Sequence, residues 1–305
     1  MKKIAFIATL TFLLFSAVNA DAQIRQDDYD LKEFTSIVVG ADFEVTVEEG
    51  NEYKASVTID RQFKDCLVCA VSGNVLNINL DEKKLTKDVK KFIKSIGTDK
   101  PAFSAVVYVP GDLKEITLKD QAVLNCTKEL GGESVKVNVT DNAVLKAASV
   151  KSQFANIVTD KKGKASLIAV SDGVTVSSTG TSALTLTQSC RNSDITVSGF
   201  SNVVLDGEAD NITINAKGTC KAEIKGKALS ANYNINGGCS INAHELESED
   251  AVVKISGLST LSESASKTLS LDLQGGASLT YDKQPSISIV GIKLSTVKMF
   301  TESEK

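Results

Sequence analysis

One short pattern recurs from Ile116 onward, and it limits the folds open to this chain more than any other feature. Each copy has alternating apolar and polar residues, then Gly or Asp, then a small residue two positions later. The Gly or Asp positions, called anchors here, recur every 19 residues on average. The anchors are Asp120, Asp141, Gly163, Gly180, Gly199, Gly218, Gly237, Gly257, Gly275 and Gly291. A fixed period of this length predicts a solenoid.

Stacking the copies on their anchors separates buried from exposed positions. Four residues before the anchor, nine of the ten residues are apolar or aromatic, as at Ile195 and Ile214, and only Thr159 is not. The next residue is polar in all ten copies. This alternation is typical of a strand with one buried face. We therefore predict that the first column faces the core and the second faces water.

The anchors themselves predict corners, because Gly and Asp tolerate a positive φ. Two residues after the anchor, nine of the ten residues are small, which suits a tight inner corner. This column contains Cys220 and Cys239, one 19-residue coil apart, so we expect their sulfur atoms to be close. Side chains in register point the same way, which favours two free thiols over a disulfide. The core column that follows each anchor ends at Ser295, which predicts a frayed last coil.

These columns predict an all-β fold, a single-stranded, right-handed parallel β-helix with coils of about 19 residues. The right hand is expected because parallel crossovers are overwhelmingly right-handed. Residues 111–305 supply the coils. Residues 21–110 show similar alternation with turns at Gly40 and Gly73, and predict less regular coils and hairpins. We expect 21–305 to form one continuous domain.

A short stretch between Asp81 and Gly97 has a helical period instead. Five apolar residues share one face, and six lysines occupy the opposite face. Asp81 is a suitable N-cap, and Gly97 a suitable C-terminal stop. The pattern predicts a short amphipathic helical insertion at 81–97, whose lysine face is either solvated or in contact with an anionic surface.

Residues 1–20 have the form of a secretory signal peptide. Lys2 and Lys3 precede an apolar run of about 15 residues, Ile4 to Val18, and small residues follow it. A membrane span needs about 20 such residues, and no second run of that length occurs in the sequence. The sequence therefore predicts an exported protein without a transmembrane segment after signal cleavage. Its expected location is the periplasm, the outer-membrane surface or the extracellular space.

The composition excludes several functional classes. The net charge is −4, and all but three of the 34 basic residues are lysines, which argues against nucleic acid as a partner. His244 is the only histidine, so little material exists for His-based catalysis or metal binding. Cys66 and Cys69 form a CxxC motif, but it lies within a predicted strand, which disfavours a redox role. The pairing of the six cysteines stays open.

A carbohydrate lyase or hydrolase is the alternative function, because parallel β-helices often host such enzymes. Those reactions need carboxylates that converge on one exposed face. In the outward column only Asp160 and Asp272 are acidic, and they lie six coils apart. Asp120 and Asp141 stack on adjacent coils, but the repeat explains them as corner residues. We therefore predict no catalytic, cofactor-binding or metal-binding residues, and no enzyme activity.

Two segments and the coils after them carry a resemblance to a known family. The segments are F-x-x-I-V-V-G-A-D-F-E-V-T-V-E-E-G at 34–50 and V-V-Y-V-P-G-D-L-K-E-I-T-L at 106–118. Together they resemble the bacterial family called "putative auto-transporter adhesin, head GIN domain", over about residues 31–295. The resemblance implies a secreted or cell-surface β-helix of Bacteroidetes-type bacteria, with no catalytic residues to carry over.

The expected function is accordingly that of a non-enzymatic adhesin, or of a surface-binding or structural module that acts through a repetitive surface. The expected partners are a cell-surface glycan, a matrix protein or further copies of the chain itself. No cofactor is expected.

Overall fold

The computed structural model describes residues 24–87 and 103–300. These residues form a parallel β-solenoid of about ten turns, with coils of about 19 residues. All 21 of their strands join one continuous hydrogen-bonded network. The predicted all-β solenoid is thus confirmed, and its core is the column of apolar side chains inside the coils.

The strands fall into an irregular N-terminal group and a regular series of coils. The first group is β1 (Ile24–Asp30), β2 (Ser36–Val39), β3 (Glu44–Glu49), β4 (Lys54–Asp60), β5 (Leu67–Ser72), β6 (Val75–Leu80), β7 (Phe103–Val109) and β8 (Glu115–Leu118). The coils are β9 (Val123–Val139), β10 (Val144–Thr159), β11 (Lys164–Ser178), β12 (Ala183–Gly199), β13 (Asn202–Gly218), β14 (Lys221–Gly237), β15 (Ser240–Asn242), β16 (Leu246–Gly257), β17 (Thr260–Glu263), β18 (Ala265–Gln274), β19 (Ser278–Tyr281), β20 (Ser286–Lys293) and β21 (Thr296–Met299).

The N-terminal strands do not stack in chain order. Strands β2 and β3 form a coil that pairs on one side with β8 and β9 and on the other with β6 and β7, all in parallel. Strand β4 pairs antiparallel with β7, β1 pairs antiparallel with β4, and β5 forms a hairpin with β6 that turns at Gly73. Antiparallel strands therefore close this end of the solenoid.

The predicted alternation of buried and exposed columns is confirmed through the regular coils. Ile195 pairs with Ile214, and Ile214 pairs with Tyr233, and all three side chains are buried. The polar residues that follow Ile195 and Ile214, Thr196 and Asn215, are not buried. Successive coils thus stack in register.

The anchor proposed at Gly163 is wrong by two residues. The corner with positive φ is Lys161, and Ile157 rather than Thr159 pairs with Val137 and Val176, which stand four residues before their own anchors. Gly163 occupies the small position inside the corner. A Cβ atom at Gly163 would lie 2.3 Å from the carbonyl oxygen of Val139, so the site requires glycine.

The anchor proposed at Gly291 is also wrong. A register shift in the pairing of β20 with β18 inserts Val290, and the corner with positive φ moves to Leu294. Strand β21 then pairs in register with β19, so Val297 lies beside Leu279. The last coil therefore stays paired beyond the register shift, through β21, and Ser295 does not break it.

Only the start of the predicted helical insertion lies within the described residues. The Lys83 N–H donates to Asp81 Oδ1 at 3.1 Å, which caps a 3₁₀ turn over Glu82–Lys84. The predicted cap at Asp81 is thus confirmed. Most of the insertion, including its stop at Gly97, lies outside the described residues and stays a prediction.

The inner corner column is filled by small side chains that contact one another. Ser178 and Ser182 lie 2.9 Å apart through their hydroxyls, and Ser182 also donates to Ser201. The Sγ atoms of Cys220 and Cys239 are 2.9 Å apart, so the expected proximity is confirmed. Burial, together with the neighbouring Cys239, raises the pKa of Cys220 to about 12.

The core column can be tested with Ile214→Asp, because this side chain is fully buried. An unpaired carboxylate there costs several kcal/mol, a large fraction of the stability of a typical domain. We expect the melting temperature to fall by many degrees. Asn215→Asp, one residue along on the outward face, is the control and should change it little. Equal effects of the two changes would contradict the register.

Candidate binding groove along the second bend

Each regular coil has a second bend opposite the corner, and one three-residue unit repeats there. The units are 170–172, 189–191, 208–210, 227–229 and 247–249. In each unit the middle residue is more buried than its neighbours. The outer two residues therefore form two parallel ridges, and the space between them is called the bend groove here.

The floor of the bend groove follows the middle row, whose side chains are all small. These residues are Ser171, Cys190, Ala209, Ala228 and Ser248. Next to the floor, Gly207 and Gly226 have φ values of 137° and 112°. A Cβ atom at either glycine would lie 1.8 Å from a backbone oxygen of the preceding coil. Only glycine allows the coils to approach this closely, so the backbone stack itself shapes the groove.

Two adjoining depressions make up the groove. One, of about 430 Å³, extends from Lys151 to Arg191, and the other, of about 530 Å³, extends from Ser189 to Lys283. They share Ser189 and Cys190, so they are continuous. From Lys151 to the 247–249 unit the groove crosses five coil steps, or about 24 Å at about 4.8 Å per step. That length suits an extended polymer rather than a compact small molecule.

Charges of both signs lie on the two ridges. On the first ridge Glu208 pairs in register with Lys227, and Lys227 with Glu247. On the second ridge Arg191 Nε lies 3.4 Å from Asp172 Oδ1. Since these charges have opposite charges nearby, the groove presents many hydrogen-bonding groups without a strong field of one sign. Such a surface suits a neutral or zwitterionic polar ligand better than a polyphosphate.

Apolar side chains interrupt the charged ridges. Leu229 is 53% exposed on the second ridge, and Val170 is about half exposed on the first. Phe154, also exposed, lies near the same end as Val170, and its ring lies against Gly173. A single exposed apolar residue needs no explanation, but these lie along one groove. They offer apolar contacts beside the polar ones.

The stacked carboxylates predicted at the corner have a structural role. The Ala41 N–H donates to Asp120 Oδ2 at 2.8 Å, and the Asp120 N–H donates to Asp141 Oδ2 at 3.4 Å. Lys161 Nζ then donates to Asp141 Oδ1 at 2.5 Å, and this hydrogen bond lowers the pKa of Asp141. Each carboxylate thus binds the backbone of the preceding coil.

The other candidate acids do not come together. Asp160 lies at the corner, where it accepts a hydrogen bond from Thr179, and Val158 takes the outward position predicted for it. The placement of Asp160 in the outward column was therefore wrong, for the same reason as the anchor at Gly163. Asp272 accepts instead from Gln274 on its own strand.

The single histidine and the CxxC motif lie away from the groove. His244 Nδ1 is 3.7 Å from Asp282 Oδ2, and its ring lies 5.0 Å from that of Phe300. Cys69 lies on strand β5, as predicted, and burial raises its pKa to about 11. A redox-active thiol needs a lowered pKa, so the motif lacks the environment for that chemistry.

Within residues 24–87 and 103–300, no group of three or more His, Cys, Asp or Glu side chains is placed to hold a metal ion. Among the same residues, no helix is long and apolar enough to cross a membrane.

The repeat, the coil register and the bend groove define the class of protein, a parallel β-solenoid with a repetitive outer surface. Within that class, the family described as "Putative auto-transporter adhesin, head GIN domain" matches residues 33–189 and 169–285. The chain belongs to this family, which confirms the resemblance seen in the sequence. No curated protein matches the chain.

Solved structures are similar to the chain at low identity. A putative adhesin from Parabacteroides merdae ATCC 43184 has 15% identity and a TM-score of 0.50, over 92% of this chain and 98% of that one. A "putative lipid binding protein" from Parabacteroides distasonis ATCC 8503 has 16% identity and a TM-score of 0.49, over the same shares. A putative adhesin from that strain has 18% identity and a TM-score of 0.48, again over 92% and 98%. The likeness to the first of these concerns the fold alone.

One buried acid lies beneath the groove floor. Glu263 is 1% exposed, and its Oε1 accepts a hydrogen bond of 3.0 Å from the floor residue Ser248. Burial raises the pKa of Glu263, and hydrogen bonds from the Ala265 backbone and from Ser248 offset part of this. The folded protein therefore binds this proton more tightly than the unfolded chain does.

A pH series on Glu263→Gln tests this acid, because glutamine keeps an oxygen for Ser248 but does not titrate. The free energy of unfolding of the wild type, compared with that of the variant, should be highest below the unfolded-state pKa of about 4.3. The wild type should lose stability as the pH rises through the higher folded-state pKa. Urea unfolding from pH 4 to 7 measures this difference, with Glu247→Gln at an exposed ridge position as the control. A difference that stays constant with pH would contradict the raised pKa.

Proposed function

We propose that this protein is an exported, non-enzymatic adhesin-like module that binds a cell-surface glycan along the bend groove. The observation that carries the proposal is the groove itself, which the repeat builds continuously across several coils. The family's description as an adhesin head domain supports a surface-binding role. Residues 1–20 serve as the export signal, and residues 21–305 act as one continuous domain.

The lining of the groove supports a polar polymer as the ligand. Carboxylates, lysines and serines lie on successive coils at about 4.8 Å per step, so a chain with regularly spaced polar groups meets polar partners along the groove. Exposed side chains such as Leu229 add apolar contacts. Many weak, repeated contacts give useful affinity when several sites or several molecules bind at once.

The same lining supports binding rather than hydrolysis. A glycosidase acid needs a carboxyl group that burial keeps protonated, opposite a second carboxylate. The ridge acids Glu208, Asp210 and Glu247 are exposed, and Glu249 Oε2 forms an ion pair of 2.6 Å with Lys267. The buried acid, Glu263, lies beneath the floor and contacts Ser248 there. This arrangement favours an adhesin over the alternative of a carbohydrate-active enzyme.

A glycan array, followed by titration of the best binder, tests the proposal with a matched pair of variants. Leu229→Glu adds a charge on the groove ridge, and Leu258→Glu adds the same charge at an exposed leucine of the corner. We expect the dissociation constant to rise at least tenfold for Leu229→Glu and to change less than twofold for Leu258→Glu.

The experiment also contains the results that would contradict the proposal. Binding that both variants weaken equally would place the ligand outside the groove. Release of shortened or unsaturated sugars from a bound polysaccharide would replace the adhesin by the enzyme. A matrix-protein array is run in parallel. Binding to a matrix protein and not to a glycan would overturn the assignment of a glycan ligand.

A further inference from the structure

The coil formed by β20 and β21 leaves the apolar core of the solenoid open to solvent. Ile287 pairs with Leu269, Ile289 with Leu271 and Ile292 with Leu273, and in each pair only the leucine is buried. Ile289 is 62% exposed. These isoleucines therefore occupy core positions, but no further coil among the described residues covers them.

The same coil also has unpaired backbone edges. Within the part of the chain that the structure describes, strand β20 pairs only with β18, and strand β21 pairs only with β19. The opposite edge of each strand carries free N–H and C=O groups, which can accept another strand. Edges of this kind are usually protected by charges, prolines or a covering segment. Within β20 the only charged residue is Lys293, at its last position.

The other end of the solenoid shows the protection that this end lacks. There β1 is the outer strand, and it carries Asp27, Asp28 and Asp30 along its length. The antiparallel strands β4 and β5 fold over the coils beside it. As far as the described residues show, the two ends therefore differ, and the β20 end is the one with an apolar surface suited to association.

Chain length limits which part of the same chain could cover this end. Residues 88–102 connect β6 to β7 at the opposite end, roughly 50 Å away at about 4.8 Å per coil step. Out and back, those 15 residues reach at most about 25 Å.

The sequence of β20 is complementary to itself in an antiparallel pairing. If Ile289 lies opposite Val290 of a second copy, Ile287 lies opposite Ile292, and Ser288 lies opposite Gly291. Lys293 then faces Ser286 rather than another lysine. Ile287 and Ile292 lie symmetrically about the centre of this pairing, so the two open cores face each other across a twofold axis.

From this complementarity we propose that the open end is a dimer interface, at which β20 of one copy pairs antiparallel with β20 of a second copy. The pairing satisfies the free edge of β20 and buries the exposed isoleucines of both copies. Because a twofold interface uses the same patch on both partners, the assembly closes at two and does not grow into a filament. The proposal uses a different surface from the bend groove and does not depend on it.

Sedimentation and light scattering on the chain without its predicted signal, residues 1–20, test the interface. We expect a dimer for the wild type and a monomer for Ile289→Lys. The dissociation constant of the dimer should be at least tenfold higher for the variant than for the wild type. Because Ile289 is already mostly exposed, the variant should keep the wild-type circular dichroism spectrum. Thr196→Lys, which adds the same charge on the outward face in the middle of the solenoid, should stay dimeric. Leu229→Glu, in the groove, should also stay dimeric.

Hydrogen exchange gives a second, independent readout. The amides of β20 should exchange slowly in the wild type and at least tenfold faster in Ile289→Lys, while those of β13 stay protected in both. A monomeric wild type, a dimeric Ile289→Lys or open-ended filaments would each overturn the proposal. A monomer with slow β20 amides would also overturn it, because a segment of the same chain would then cover the end.

Discussion

The backbone stack at the two turns of each coil is the constraint on which the rest of the structure depends. Adjacent coils are held about 4.8 Å apart by hydrogen bonds between parallel strands. At the corner, Gly163 leaves no room for a Cβ beside the preceding coil, and at the second bend Gly207 and Gly226 leave even less. Once these backbones are in contact, the register of every side chain is set. The apolar columns then face inward, and the ridge residues face outward.

One repeat therefore produces both the stability and the candidate function. The inward columns, such as Ile195, Ile214 and Tyr233, bury the core, while the triplets at the second bend form a groove that continues from coil to coil. Buried polar groups are few, and most are satisfied within the stack, as with Ser178 and Ser182. A surface built this way is repetitive by construction, which is what an extended ligand requires. No convergence of reacting groups is needed to explain it.

The sequence predicted the inward and outward columns, but it did not place the corner correctly in every coil. The predictions hold where Gly marks the corner, as at Gly180 and Gly199, because glycine is the residue that most readily takes positive φ. They fail at Lys161 and Leu294, which take positive φ although a side chain disfavours it, so composition gives no signal. The stacking order of the N-terminal coils could not be predicted either, because antiparallel strands such as β4 interrupt the 19-residue repeat. The groove was missed because its ridges repeat at 19 residues without sharing a residue type, from Val170 and Ser189 to Glu208 and Lys227.

The central claim is that in-register stacking aligns the second bends into one continuous groove. The most direct test is the distance between spin labels placed at Val170 and Glu247, which occupy the same ridge four coil steps apart. At about 4.8 Å per step, pulsed electron paramagnetic resonance should give a narrow distribution centred near 19 Å, widened only by the label linkers. A broad distribution, or a separation well beyond about 30 Å, would show that the bends do not align. The second bends would then not form one continuous groove.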